Sequence, residues 1–148
     1  MTAVIQRVIK ASVKINNSKI SSIDNGLVIL LGVHKDDTEK EINYLVKKII
    51  DLRIFNDDNK RMNCSLQDVN GSVLIISQFT LCGELQKGRR PSFLNAADPK
   101  KGKSMYDKFV EIFKGRDFNV KTGEFGSQMD VKLINTGPAT FVIDTNKI

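Results

Sequence analysis

Residues 133–143, LINTGPATFVI, restrict the folds open to this chain more than any other stretch. Leu133, Ile134, Ala139, Phe141, Val142 and Ile143 are strand material, but Asn135-Thr136-Gly137-Pro138 divides them. Proline offers no ladder donor and is kept out of central strands. Glycine there loses backbone entropy and packs nothing. The segment reads either as a bland turn between two strands, residues 129–134 and 139–144, or as a backbone feature held for chemistry.

The rest of the chain supplies more strands and two helices. Residues 2–11 alternate imperfectly, Val13 and Ile15 continue in a second short stretch, and Asn16-Asn17-Ser18 signals a turn. Asp24-Asn25-Gly26 is another turn, leading into LVILLGV at 27–33, an apolar run suited to a strand buried on both faces. Thr38-Glu39-Lys40-Glu41 is a capping-box pattern, and Ile42, Leu45, Val46, Ile49 and Ile50 then fall on one helical face, predicting a helix that ends near Asp51. A short strand is predicted at 52–55, a loop at 56–59, and a strong strand at 72–79. Residues 82–98 read as a long loop. Asp98 then caps a second helix with Pro99 in its first turn, Tyr106, Phe109, Val110 and Phe113 as its buried face, and Gly115 as its stop. A strand at 118–122 precedes the interrupted stretch. The order is mostly β with two helices, an α+β domain over residues 1–148.

At 148 residues, with 41% hydrophobic and 27% charged residues, a single core needs no metal or disulfide staple. Cys64 and Cys82 have no paired spacing, which suits a reduced, cytoplasmic protein. The N-terminal MTAVIQRVIK has no apolar signal core, and no apolar run approaches a membrane span. The net charge of +6 is concentrated: residues 86–121 hold ten Lys/Arg against four acids, while the remainder is neutral. Such a block suits RNA or another polyanion, and equally a solvated lysine-rich face.

Side chains for familiar catalysis are scarce. His34 is the single histidine, it ends an apolar strand, and it completes no nucleophile–His–acid set. No metal-ligand cluster and no cofactor motif is present in the sequence. Ser77, Thr80 and Cys82 stand where a strand runs into a loop, in SQFTLCG. Without a base, a hydroxyl is a poor nucleophile, but backbone N–H groups at such a strand end can stabilise an oxyanion. In KGRRPSF, Lys87, Arg89, Arg90 and Phe93 offer phosphate contact with aromatic stacking, or simply a basic loop anchored by a phenylalanine.

SQFTL at 77–81, GRRPSF at 88–93, GEFGSQMDVKL at 123–133 and NTGPAT at 135–140 occur together in this order. The set strongly resembles the D-aminoacyl-tRNA deacylase (D-tyrosyl-tRNA deacylase) family, with its SQxxL and NxGPxT motifs, along essentially the whole chain. The resemblance implies a homodimer with a barrel-like core of mostly antiparallel β-sheets and two helices. It implies hydrolysis of the ester joining a D-amino acid, or glycine, to the 3′ end of tRNA, without a cofactor. It implies that Gly137-Pro138 is cis and reaches into the partner's pocket as a chiral gate supported by Arg7, with Ser77, Gln78, Phe79 and Thr80 lining that pocket.

On this pattern the missing base makes sense. Main-chain oxygens of Gly137-Pro138 facing the substrate's α-carbon collide with an L side chain and leave a D side chain or glycine untouched. The Phe79–Thr80 backbone supplies oxyanion donors, the tRNA 2′-hydroxyl assists water, and Thr80 positions rather than attacks. Lys87, Arg89, Arg90 and Phe93 would meet the RNA. Two alternatives remain at this stage: an esterase using Thr80 or Cys82 covalently, and a non-catalytic RNA-binding dimer.

Overall fold

The computed structural model describes residues 1–16, 19–86 and 88–147, and of Lys19 only the backbone. Asn17, Ser18 and Lys87, named above for a turn and for RNA contact, lie outside the described residues.

The hub is β1 (Thr2–Ile15), one strand where two short stretches are predicted. It runs unbroken because it serves two neighbours along one edge. Ala11–Ile15 pair with β2 (Lys19–Ile23), and Thr2–Val8 pair with β3 (Gly26–Gly32). β3 is the LVILLGV run, and it is covered on both faces as its composition requires. Leu27, Ile29 and Leu31 face a core shared with both helices. Val28 faces a second core with Val8, Val13, Ile15, Leu74 and Ile76.

Helix α1 (Glu39–Asp51) begins with the predicted capping box, in which the Glu41 carboxylate accepts the Thr38 N–H at 2.7 Å. Its five predicted apolar residues are all buried. Their burial contributes on the order of 10 kcal/mol before conformational entropy is counted. The strand predicted at 52–55 contracts to β4 (Phe55–Asn56), because the Leu52 N–H closes the helix on the Ile49 carbonyl at 3.4 Å. β4 pairs with β5 (Met62–Cys64), a two-stranded sheet that the sequence did not announce.

β6 (Ser72–Ser77) lies parallel to β3 and ends two residues earlier than predicted. The Gln78 N–H makes one more bond to the Leu31 carbonyl at 2.8 Å, and Phe79–Cys82 then turn as a 3₁₀ helix. Helix α2 (Pro99–Lys114) has the predicted cap, the Asp98 carboxylate accepting the Lys100 and Lys101 N–H groups at 3.0 Å each. β7 (Val120–Thr122) pairs parallel with β6, so two parallel pairings join an otherwise antiparallel sheet. β2 also approaches β6 and β7, which curls the sheet toward a barrel. Among the described residues no helix is long and apolar enough to cross a membrane.

The last strand departs from expectation. β8 (Met129–Asp144) is continuous through NTGP, not two strands joined by a turn. It pairs along the remaining edge of β1 on both sides of the interruption. Val8 pairs with Asn135 and Gln6 with Thr140, so the path on β8 is three residues longer than on β1. The extra length arches away from the ladder. Pro138 sits in that arch, where no ladder donor is required.

Candidate active site

The arch at residues 136–139 is pinned at its base and open at its tip. Ala139 is fully buried, while Gly137 and Pro138 are exposed. Asn135 Nδ2 donates across the base to the Arg7 carbonyl at 2.9 Å and to the Ala139 carbonyl at 3.3 Å. Arg7, the residue of β1 passed over by the arch, is itself buried. Its Nε donates to the Thr136 carbonyl at 3.3 Å, and its Nη1 to the Ile54 carbonyl at 2.6 Å and Asn56 Oδ1 at 3.0 Å. The Gly137-Pro138 peptide is cis, as the resemblance implies. Among the described residues, a Cβ built on Gly137 would meet only Asn135 Oδ1, at 3.8 Å.

A cleft of about 500 Å³ opens where β6 ends, against the start of α2 and the β7–β8 connection. Ser77, Gln78 and Phe79 line it, opposite Ala97, Pro99, Phe125 and Met129. Its apolar walls and few polar groups suit a small organic moiety. Gly102 in the first turn of α2 lets the Phe125 ring lie close, where a Cβ would stand 3.3 Å from it. Phe79 is 56% exposed, so an aromatic surface faces solvent at the cleft.

The following turn presents backbone rather than side-chain chemistry. Gln78 precedes the Phe79–Cys82 turn without accepting a capping bond on its side chain, and the first N–H groups of a helical turn have no acceptor within it. Those are the N–H groups of Phe79 and Thr80. Thr80 is exposed one residue beyond the lining stretch, and its Oγ1 accepts from Gln78 Nε2. Cys82 is buried, and its Sγ donates to the Val33 carbonyl at 3.4 Å. Burial, with Asp37 adding to it, pushes the thiol up to about 11, so it stays protonated near neutrality. His34 bonds Thr2 Oγ1 through Nε2 at 2.9 Å and does not line the cleft.

The long loop has internal order. Glu84 and Ser92 exchange backbone bonds of 2.8 and 3.0 Å, which leaves Arg89 and Arg90 exposed between them. Phe93 packs edge-on against Phe79 with ring centroids 5.0 Å apart, so it anchors the basic loop beside the cleft.

The predicted site residues thus form two groups within one chain. Ser77, Gln78 and Phe79 line the cleft with Thr80 adjacent, and Arg7 holds the Gly137-Pro138 arch, which is absent from that cleft's lining. Three participants had no assigned role in the sequence reading. Asn135 opens the NTGPAT motif and Phe125 lies in GEFGSQMDVKL, so both carried a signal. Asn56 sits in a stretch that reads only as loop.

The chain matches the family model described as D-Tyr-tRNA(Tyr) deacylase over residues 4–144. It is 51% identical to a D-aminoacyl-tRNA deacylase of Thermosipho africanus, covering all of this chain and 99% of the relative. It is 53% identical to a protein of the same name from a Sulfurihydrogenibium species, with both chains fully covered. Among solved structures, the c-Myc DNA Unwinding Element Binding Protein superposes with TM-score 0.92 at 36% identity, over 98% of this chain and 99% of that one. A probable eukaryotic D-amino acid tRNA deacylase superposes with TM-score 0.79 at 22% identity, over 97% and 99%, a likeness of fold.

Proposed function

The chain belongs to the D-Tyr-tRNA(Tyr) deacylase family, and from that membership we propose that it hydrolyses the ester of D-aminoacyl-tRNA, releasing the D-amino acid and tRNA. The aminoacyl group enters the cleft at Ser77, Gln78 and Phe79. The N–H groups of Phe79 and Thr80 stabilise the oxyanion as water adds to the ester carbonyl. No side-chain base is invoked, because the 2′-hydroxyl of the terminal ribose adjoins the ester and assists the water. Thr80 positions the substrate. Its hydroxyl already accepts from Gln78, and no described side chain offers it a base.

Selection by handedness is assigned to Gly137-Pro138 of a partner subunit. Main-chain oxygens of the arch face the substrate's α-carbon, bind its ammonium group and collide with an L side chain. Glycine, with no side chain, passes as D-amino acids do. The observation that carries this reading is the separation of the two groups. The arch is exposed and rigidly based, yet lines nothing in its own chain's cleft, as expected of an element that completes a neighbour's site in a homodimer. Arg89 and Arg90, with the lysines of α2, meet tRNA phosphates.

The test is release of tyrosine from D-tyrosyl- and L-tyrosyl-tRNA by the purified protein. D-selective release is expected, and no release from either refutes hydrolysis. A second reading, nucleic-acid binding without catalysis, is favoured by the basic segment and by the DNA-binding name of the 36% identical structure. It predicts retained tRNA with its ester intact.

A further inference from the structure

We propose that Asn56 is a positioning residue for the Gly137-Pro138 gate, acting through Arg7; this rests on the deacylase reading above. The argument starts from the guanidinium. Arg7 is 5% exposed, and its hydrogen-bond acceptors among the described residues are neutral oxygens. A buried cation requires its protons to be met. The two protons of Nη1 are met by the Ile54 carbonyl at 2.6 Å and Asn56 Oδ1 at 3.0 Å. A guanidinium is planar, so two fixed acceptors on one nitrogen set the direction of every other N–H. Nε–H is thereby aimed at the Thr136 carbonyl.

That last contact, at 3.3 Å, is the longest of the three and depends on the other two. It is also the bond by which Thr136 is held from β1, since the buried Thr136 hydroxyl has no partner among the described residues. Thr136 precedes Gly137. The position of the gate's first carbonyl is therefore set from β4, a two-residue strand outside the main sheet. Asn56 itself is exposed and adds nothing to the core, so its influence runs through its side-chain oxygen.

The experiment compares the wild type, Asn56→Ala and Asn56→Asp, the last keeping the acceptor. Two readouts are taken: deacylation of D- and L-tyrosyl-tRNA, and solvent exchange of the Arg7 Nε–H by ¹⁵N NMR. Asn56→Ala should lower kcat on the D substrate about tenfold, narrow the D-over-L ratio, leave KM for tRNA unchanged and speed Nε–H exchange. Asn56→Asp should restore all of these. Wild-type behaviour of Asn56→Ala overturns the proposal, and so does a loss in both variants accompanied by a lowered melting temperature. If the wild type shows no D-selectivity, the deacylase reading fails, and the NMR comparison still judges the Asn56–Arg7 linkage on its own.

Discussion

Replacing Gly137 by alanine separates folding from function at the proposed gate. Among the described residues of its own chain the new methyl meets only Asn135 Oδ1 at 3.8 Å, an ordinary contact, and Gly137 does not adopt a positive φ. Restricting the unfolded chain stabilises by about 0.4–1 kcal/mol where the native conformation tolerates alanine. A net change within about 1 kcal/mol is expected, which moves the melting temperature by no more than about 4 °C in a chain of this size. Activity should behave differently. If the glycine is presented to a substrate α-carbon in a neighbouring cleft, a methyl group occupies the space left for hydrogen. Overpacking of about 1–3 kcal/mol then lowers kcat/KM on D-tyrosyl-tRNA by about 5- to 150-fold. Any such loss must come from outside the chain, because inside it there is room. Mixed dimers show whose cleft is entered. Gly137→Ala and Phe79→Ala subunits, each impaired alone, are mixed and allowed to exchange. A gate acting across the dimer gives the mixed species one intact site, and random pairing restores about a quarter of wild-type activity. A gate acting on its own cleft restores none. Unchanged D-ester turnover in Gly137→Ala refutes the gate, and collapse of its melting temperature refutes the open geometry described at this residue.

Three further outcomes test the framework around the site. Gly26→Ala should abolish folding or cost more than about 3 kcal/mol by thermal melt, since its Cβ would fall 1.9 Å from the Ser72 carbonyl oxygen in the β3–β6 ladder. Thr38→Ala should cost about 1 kcal/mol at neutral pH through loss of the cap. The Thr38 hydroxyl and then its N–H hold the Glu41 carboxyl below its usual range. A depressed carboxylate stabilises the fold above its unfolded pKa and loses that as pH falls through the folded one. Melts should therefore show the variant's deficit shrinking below about pH 4, modestly because the group is exposed. Iodoacetamide at pH 8 should label the half-buried Cys64 and spare Cys82, and Cys82→Ala should keep D-ester turnover; loss of turnover with a normal melt would revive a covalent mechanism.

Much of this was legible in the residues. Both helices appeared with their caps and buried faces, because caps and 3.6-residue periodicity are local signals. LVILLGV declared itself because a strand covered on both faces has no polar positions. What the sequence concealed depends on pairing. β1 looks like two stretches until β2 and β3 are seen to share one of its edges. β5 is three residues long, and Met62-Asn63-Cys64 has no strand signature of its own. The motif stretches carried the cleft's near wall at Ser77–Phe79. Its far wall, Phe125 and Met129, lies in GEFGSQMDVKL, but that this stretch faces Ser77–Phe79 is defined only by the curl of the sheet. Asn56 is invisible for a related reason: its partner Arg7 lies 49 residues away in sequence.

The unbroken course of β8 matters more to the proposed mechanism than the presence of Gly137-Pro138 alone. Discriminating a hydrogen from a side chain at one carbon requires a gate positioned to a fraction of an ångström. A turn joining two strands can sway with either of them. An arch within one strand cannot, because both its stems are bonded to the same neighbour, at Val8–Asn135 and Gln6–Thr140. Its base is closed again by Asn135, and Arg7 holds Thr136 from beneath. Arches of this kind re-aim backbone without loosening the sheet that carries them. The residues that make LINTGPATFVI a poor central strand are thus the ones that lift a few main-chain atoms clear of the ladder. The strand residues on either side keep those atoms in place.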